Sequence, residues 1–274
     1  MNSLDENRTV PPVDVLTPRS LDEALRLKAE HPDAVAIQGG TDVMVALNFD
    51  RERPPALLNL NEVAELRGWS RENDALRLAA GVTYMEVERG PLREVLPALA
   101  EASRTVGSPQ IRNRGTIGGN LGTASPAGDA LPPLLVEDAY VEAASVRGVR
   151  RVPLAEFVTG VKRNVLEPDE LITAVLVTPS GAAQTFMKVG PRNAMVIAVV
   201  SLAVSAGDDL RASFGSASPR PVLVTAPRDE AATFPEQVAQ AATAIDDVRG
   251  TAAYRRHALR VLTARALERT LAAA

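Results

Sequence analysis

The run Gly107-Ser108-Pro109-Gln110-Ile111-Arg112-Asn113-Arg114-Gly115-Thr116-Ile117-Gly118-Gly119-Asn120, continuing through Ala124-Ser125-Pro126-Ala127-Gly128-Asp129, constrains this chain more than any other stretch. Glycines bunched beside Thr, Ser and Asn let main-chain amides approach a bound group where a Cβ would clash. Side-chain hydroxyls and amides add hydrogen bonds to phosphate oxygens. Lying between two helical patterns, Leu92–Ala102 and Leu131–Val136, the run predicts a loop that cradles a cofactor.

An earlier glycine cluster sharpens this reading. The short apolar run Ala34-Val35-Ala36-Ile37 predicts a buried strand that leads into Gln38-Gly39-Gly40-Thr41-Asp42 and a further apolar segment, Val43–Leu47. Alone, a glycine pair at a strand exit is more often a tight turn. Gly118-Gly119-Asn120, preceded by Thr116 and followed by Thr123 and Ser125, offers donors for a second phosphate, and two such loops together suit a pyrophosphate. Neither loop is a Walker A, because no Gly-Lys-Ser/Thr follows, and no G-x-G-x-x-G opens a helix after a strand.

Composition restricts the chemistry. The absence of cysteine excludes disulfides, thiolate catalysis and an iron-sulfur cluster ligated by this chain alone, so redox work would need an organic cofactor. Only His31 and His257 carry imidazoles, which disfavours a histidine metal site or a serine triad; both read as structural. A net charge of -4 provides no basic field for nucleic acid, and no apolar run approaches the roughly 20 residues of a membrane span. Met1–Arg8 has no apolar core and carries acids, so it reads as a frayed start, and a cytoplasmic location is expected.

At 274 residues the chain exceeds one small core, and two or three units are expected. Capping boxes start helices at Ser20-Leu21-Asp22-Glu23 and Thr83-Tyr84-Met85-Glu86. Strands are read at Leu57–Leu60, in a segment ending near Trp69, and at Leu76–Ala80, with Arg71–Asp74 as a turn between the last two. Further strands are read at Ala139–Ala143 and in a hairpin turning at Arg147-Gly148. From Glu170 the pattern is antiparallel: Leu171–Val177, Gln184–Val189, Val196–Val204 and Leu210–Phe214, followed by helices after Pro235 and over Ala252–Leu271. Breaks are drawn near Arg53-Pro54-Pro55 and Thr178-Pro179-Ser180-Gly181.

Together, Gly39-Gly40-Thr41-Asp42, Gln110-Ile111-Arg112-Asn113, Thr116-Ile117-Gly118-Gly119-Asn120 and Ala124–Asp129 resemble the FAD-binding medium subunit of molybdenum hydroxylases, the family of xanthine dehydrogenase and carbon monoxide dehydrogenase. Phe186–Ala194 and Tyr254-Arg255-Arg256-His257 resemble later pieces of the same family. The resemblance implies an α+β fold: a two-subdomain FAD domain of the vanillyl-alcohol-oxidase type over residues 1–54 and 55–178, then a C-terminal domain of antiparallel sheet plus helices over 179–274. It implies FAD held by one loop, Ala36, Ile37, Gln38, Gly39, Gly40, Thr41, Asp42 and Val43, and by a second, Thr116, Ile117, Gly118, Gly119 and Asn120, with Thr123 beside it. Ile172, Lys188 and Asp129 match family positions at the cofactor. Thr105 stands where some relatives carry an aromatic.

Each of these has a plainer alternative. Asp129 could cap the helix that follows, and Lys188 could be an exposed strand lysine. Arg112, Arg114 and Arg192 could meet phosphates, form ion pairs or, in the loop, touch a partner. The implied function is an electron-transfer subunit that receives electrons from an iron-sulfur small subunit, itself fed by a molybdopterin large subunit, and passes them through FAD to NAD or another acceptor. A stand-alone FAD oxidoreductase and a non-catalytic nucleotide-binding scaffold are the alternatives.

Overall fold

The computed structural model describes residues 13–272; the reading of Met1–Arg8 lies outside them. Among the described residues three sheets carry the fold and follow chain order, beside a two-stranded ribbon of Val158–Gly160 and Arg163–Asn164. The first is parallel, with Ala56–Asn59 between Asp14–Leu16 and Val35–Ile37. Its crossover helix, Leu21–Glu30, starts at Ser20, whose side chain accepts from the Glu23 N–H; the Glu23 carboxylate accepts from the Arg19 N–H rather than closing a full box. Lys28 is buried on this helix because its ammonium donates to the carbonyls of Pro32 and Ala34, each at 2.7 Å.

The second sheet is antiparallel and five-stranded, ordered Trp69–Glu72, Ala75–Ala79, Leu171–Val177, Tyr140–Ser145, Gly148–Pro153. Leu171–Val177 pairs here, ahead of the break drawn near Thr178. The strand expected to end near Trp69 begins there and includes Arg71 and Glu72; the turn is tighter than read, with Asn73 in the left-handed region (φ 57°). Residues Leu60–Glu62 and Ala64–Leu66, just before it, form two 3-10 turns. Thr83 and Glu86 make both bonds of a capping box at the start of helix Tyr84–Arg89. The expected helix over Leu92–Ala102 is two, Leu92–Val95 and Pro97–Thr105, because Pro97 supplies no N–H to continue the first.

The third sheet is a meander, Ala183–Val189, Val200–Ala206, Asp209–Gly215 and Val222–Pro227, the last strand not foreseen. One face packs on helices Phe234–Gln240 and Ala252–Leu271 through Leu202, Val204, Phe214, Phe234, Val238 and Leu259. The other face presents Phe186 and Ala203 to Ala98, Ala102 and Val136 of the second region. Covered on both sides, Val200–Ala206 is buried at every residue, which is why small Ser201 and Ser205 alternate with its apolar side chains. The stretch 190–199 is loop, so the strand expected from Val196 begins only at Val200.

The first and second sheets share one core, in which Ala24, Ala34 and Leu58 join Leu76, Val82, Leu99 and Leu134. A cut after residue 54 would remove the central strand, Ala56–Asn59, from the first sheet. Among the described residues no helix is long and apolar enough to cross a membrane.

Candidate functional site

The early loop leaves strand Val35–Ile37 and turns at Gly40, whose φ of +74° favours glycine, into helix Val43–Asn48; the apolar segment is therefore helical. A Cβ on Gly39 would lie 2.1 Å from the Arg114 carbonyl oxygen, so the two loops meet backbone to backbone. Arg114 Nη2 also donates to the Gln38 carbonyl at 3.0 Å and to Asn61 Oδ1 at 3.1 Å, and Thr123 Oγ1 donates to Asp42 Oδ2 at 3.4 Å. Among the described residues, no acceptor lies on the N–H groups of Gly39, Gly40, Thr41, Asp42 or Val43. They form a patch of unspent donors suited to an anion.

The central loop is built differently. Thr116 is the N-cap of helix Ile117–Thr123, and its hydroxyl accepts from the Gly119 N–H at 2.9 Å. Ile117 N–H donates to Val82 O, Gly118 N–H to Ala80 O and Asn120 N–H to Thr116 O. The expectation that these amides supply donors for a second phosphate is thus corrected: all four are committed within the protein. Glycine serves two other ends here. A Cβ on Gly118 would sit 2.6 Å from Ala80 Cβ, so this residue permits close packing, while Gly119 and Gly122 are exposed and leave one helix face bare.

Two further predicted residues join this face. Ile172, nearly buried in strand Leu171–Val177, lies with its Cδ1 3.7 Å from where a Gly122 Cβ would be. Asp129 caps nothing: Ala130 is the N-cap residue of helix Leu131–Val136, and Asp129 Oδ2 instead meets Lys188 Nζ at 2.5 Å. Both side chains are only 7% exposed, so Lys188 is not a solvated strand lysine. Burial pushes the Asp129 carboxyl up, against the pull of the Lys188 ammonium. Among the described residues, its other oxygen and Asn120 Oδ1 are buried without a partner. Acceptors left open in this way suit a ligand that brings its own donors. Thr105 bonds its own helix through Ala102 O and offers its carbonyl to Lys188 at 3.4 Å.

Tyr84 joins the site without a signal in the sequence, because its motif announces only a helix start. Its ring packs against Gly115, and the Asn120 amide lies at its hydroxyl. Burial, then the carboxylates of Asp129 and Asp42, push its phenol far up, so it stays protonated. The remaining arginines serve the fold: Arg112 pairs with Glu88 at 2.9 Å, and Arg192 bonds Ala194 O and Met195 O of its own loop. Ala36 points to solvent and Ile37 is half-buried. Beside the junction, a cleft of about 240 Å³ is lined by Gln38, Asn61, Arg67, Thr83, Glu86 and Arg114, among others.

The spent and unspent amides, the bare helix face and the orphaned acceptors together fit a large ligand with both anionic and donor groups, as FAD is. Residues 11–179 match the family model described as the FAD binding domain in molybdopterin dehydrogenase. The chain is 36% identical over 195 residues to a nicotinate dehydrogenase FAD-subunit of Eubacterium barkeri, a match spanning 68% of this chain and 66% of that one. It is 31% identical over 276 residues to a putative xanthine dehydrogenase FAD-binding subunit of Escherichia coli, covering 93% and 94%. The quinoline 2-oxidoreductase structure from Pseudomonas putida 86 superposes with a TM-score of 0.88 at 25% identity, over 96% of this chain and 98% of that one. The chain therefore belongs to the FAD-binding domain family of molybdopterin dehydrogenases and is an FAD-binding oxidoreductase subunit of the molybdenum hydroxylase type.

Proposed function

We propose that this chain is the electron-transfer flavoprotein of a three-part molybdenum hydroxylase, receiving electrons from an iron-sulfur small subunit fed by a molybdopterin large subunit and passing them to NAD or another acceptor in the cytoplasm. The observation that carries this reading is the meeting of the early loop, with its five unspent N–H groups, and the bare face of helix Ile117–Thr123 beside the Asp129–Lys188 pair. Bound FAD supplies the one- and two-electron redox chemistry that a chain without cysteine and with two histidines lacks.

The residues of this chain bind and bias that group. Gly39–Val43 donate N–H groups to the diphosphate, with Ala36, Ile37 and Gln38 leading the backbone in. Thr116, Ile117 and Gly118 hold the helix so that Gly119, Gly122 and Thr123 face the ligand, while Asn120 and Asp129 offer acceptors to its hydroxyl or imide donors. Ile172 supplies an apolar wall. Lys188, fixed by Asp129, places a positive charge where it would stabilise negative charge on a reduced ring. The proposed organisation keeps an FAD-binding part up to Thr178 and a C-terminal part from 179.

The test is purification of the native protein with whatever travels with it. Flavin absorbance, together with a cysteine-rich subunit and a molybdopterin subunit, is the expected result, and substrate should bleach the flavin only in the complex. A colourless chain that cannot be reconstituted with FAD overturns the reading. So does an isolated monomer that turns substrate over without iron, sulfide or molybdenum.

A further inference from the structure

Arg114 joins the central loop to the early one at two points. Its carbonyl oxygen occupies the space that a Gly39 side chain would need, and its guanidinium reaches across to the Gln38 carbonyl at 3.0 Å. The same Nη2 is steadied by Asn61 Oδ1 at 3.1 Å, and the Asn61 side chain is in turn tied to Asn59 Oδ1 at 2.6 Å, at the end of the central strand of the first sheet. The Gln38 carbonyl and the Gly39 N–H are two ends of one peptide unit. A cation bonded to the carbonyl end polarises that unit and strengthens the donor at the other end. Gly39 N–H is the first of the five unspent donors.

We propose that Arg114 is a positioning residue of the FAD site: it sets the place and the donor strength of the early loop through the Gln38–Gly39 peptide, without touching the ligand. This rests on the FAD reading given above, and it differs from a phosphate-binding or partner-binding arginine. In a direct phosphate contact, the guanidinium would spend its donors on the ligand. Here the nitrogen that faces the loop is engaged by protein acceptors before any ligand arrives.

The experiment compares wild-type apoprotein with Arg114→Gln and Arg114→Lys by FAD titration at low and high salt, and by amide resonances of the ligand-free proteins. Arg114→Gln is expected to raise the Kd for FAD about tenfold, the loss of one charge-assisted bond, with an unchanged melting temperature. Arg114→Lys should recover part of this. In ligand-free Arg114→Gln the Gly39 amide resonance should move, and the salt dependence of FAD binding should stay as in wild type. An unmoved Gly39 resonance, an unchanged Kd, or a flattened salt dependence that signals a direct phosphate contact would each overturn the proposal. A Kd that rises only in step with a falling melting temperature would do the same. Failure of the wild-type chain to bind FAD would sink the FAD reading alone, because the ligand-free resonance still reports whether Arg114 acts on the loop.

Discussion

The two glycine loops have similar compositions and opposite hydrogen-bond economies. In the early loop, Gly39–Val43 find no acceptors for their N–H groups among the described residues; in the central one, Ile117–Asn120 have all four engaged. Two of those four acceptors, Ala80 O and Val82 O, lie just past a strand end far back in the chain, and the other two belong to Thr116 at the start of the same helix. Glycine also serves different purposes within one turn of helix: Gly118 lets backbones close up, and Gly119 keeps a surface bare. A glycine motif therefore marks where backbone comes close, and only its neighbours determine whether that backbone binds a ligand or the rest of the protein.

This contrast can be broken most forcefully beneath the central loop. Lys188→Met would leave the Asp129 carboxylate buried without its partner, a loss of about 3–5 kcal/mol at neutral pH in denaturant unfolding. Burial already pushes that carboxyl up, and removing the ammonium pushes it further. A group whose folded pKa exceeds its unfolded one favours the folded state below the unfolded pKa and loses that advantage as pH rises through the folded value. The variant should accordingly regain stability on acidification toward the ordinary carboxylate range. A variant that unfolds like wild type at every pH would show that the pair is not part of the buried frame.

Next in size, Gly118→Val places a side chain 2.6–2.9 Å from Ala80 atoms, and overpacking of this kind should cost roughly 1–3 kcal/mol. Its melting temperature should fall whether or not FAD is present. Gly119→Val, one residue on, meets only Thr116 Oγ1, at 3.0 Å, so the fold should hold within about 0.5 kcal/mol while FAD is lost. Normal flavin content in a folded Gly119→Val protein would remove the helix face from the site. Two smaller effects separate the loops. Thr116→Ala removes the N-cap and should cost about 1 kcal/mol in the global melt. Gly40→Ala imposes a similar strain, roughly 1 kcal/mol, at a φ of +74°, and it should appear as weaker FAD binding with little change in the melt. If Gly40→Ala lowered the melt as much as Thr116→Ala, the early loop would be as deeply tied to the fold as the central one.

What was legible beforehand depended on short-range chemistry. The capping box at Thr83 and Glu86 and the final helix Ala252–Leu271 could be read because their partners lie within a few residues or on one helical face. Less was legible where local preference is weak. Val43–Asn48 is an apolar stretch as compatible with strand as with helix. The pairing of Asp129 with Lys188 is invisible in the sequence, because each residue has a satisfactory local alternative.

The sequence alone determined that backbone would be exposed or closely packed at two glycine-rich points, and that a chain lacking cysteine would need a borrowed redox group. Its motifs, in their order, also carried the family. The tertiary structure alone decided which amides remained free, that Gly39 lies against Arg114, and that a carboxylate and an ammonium from different regions share one buried space. The physical reason is that hydrogen-bond demand is local to each residue, whereas the acceptor or counter-charge that meets it arrives from distant strands whose positions are set by packing of the whole core.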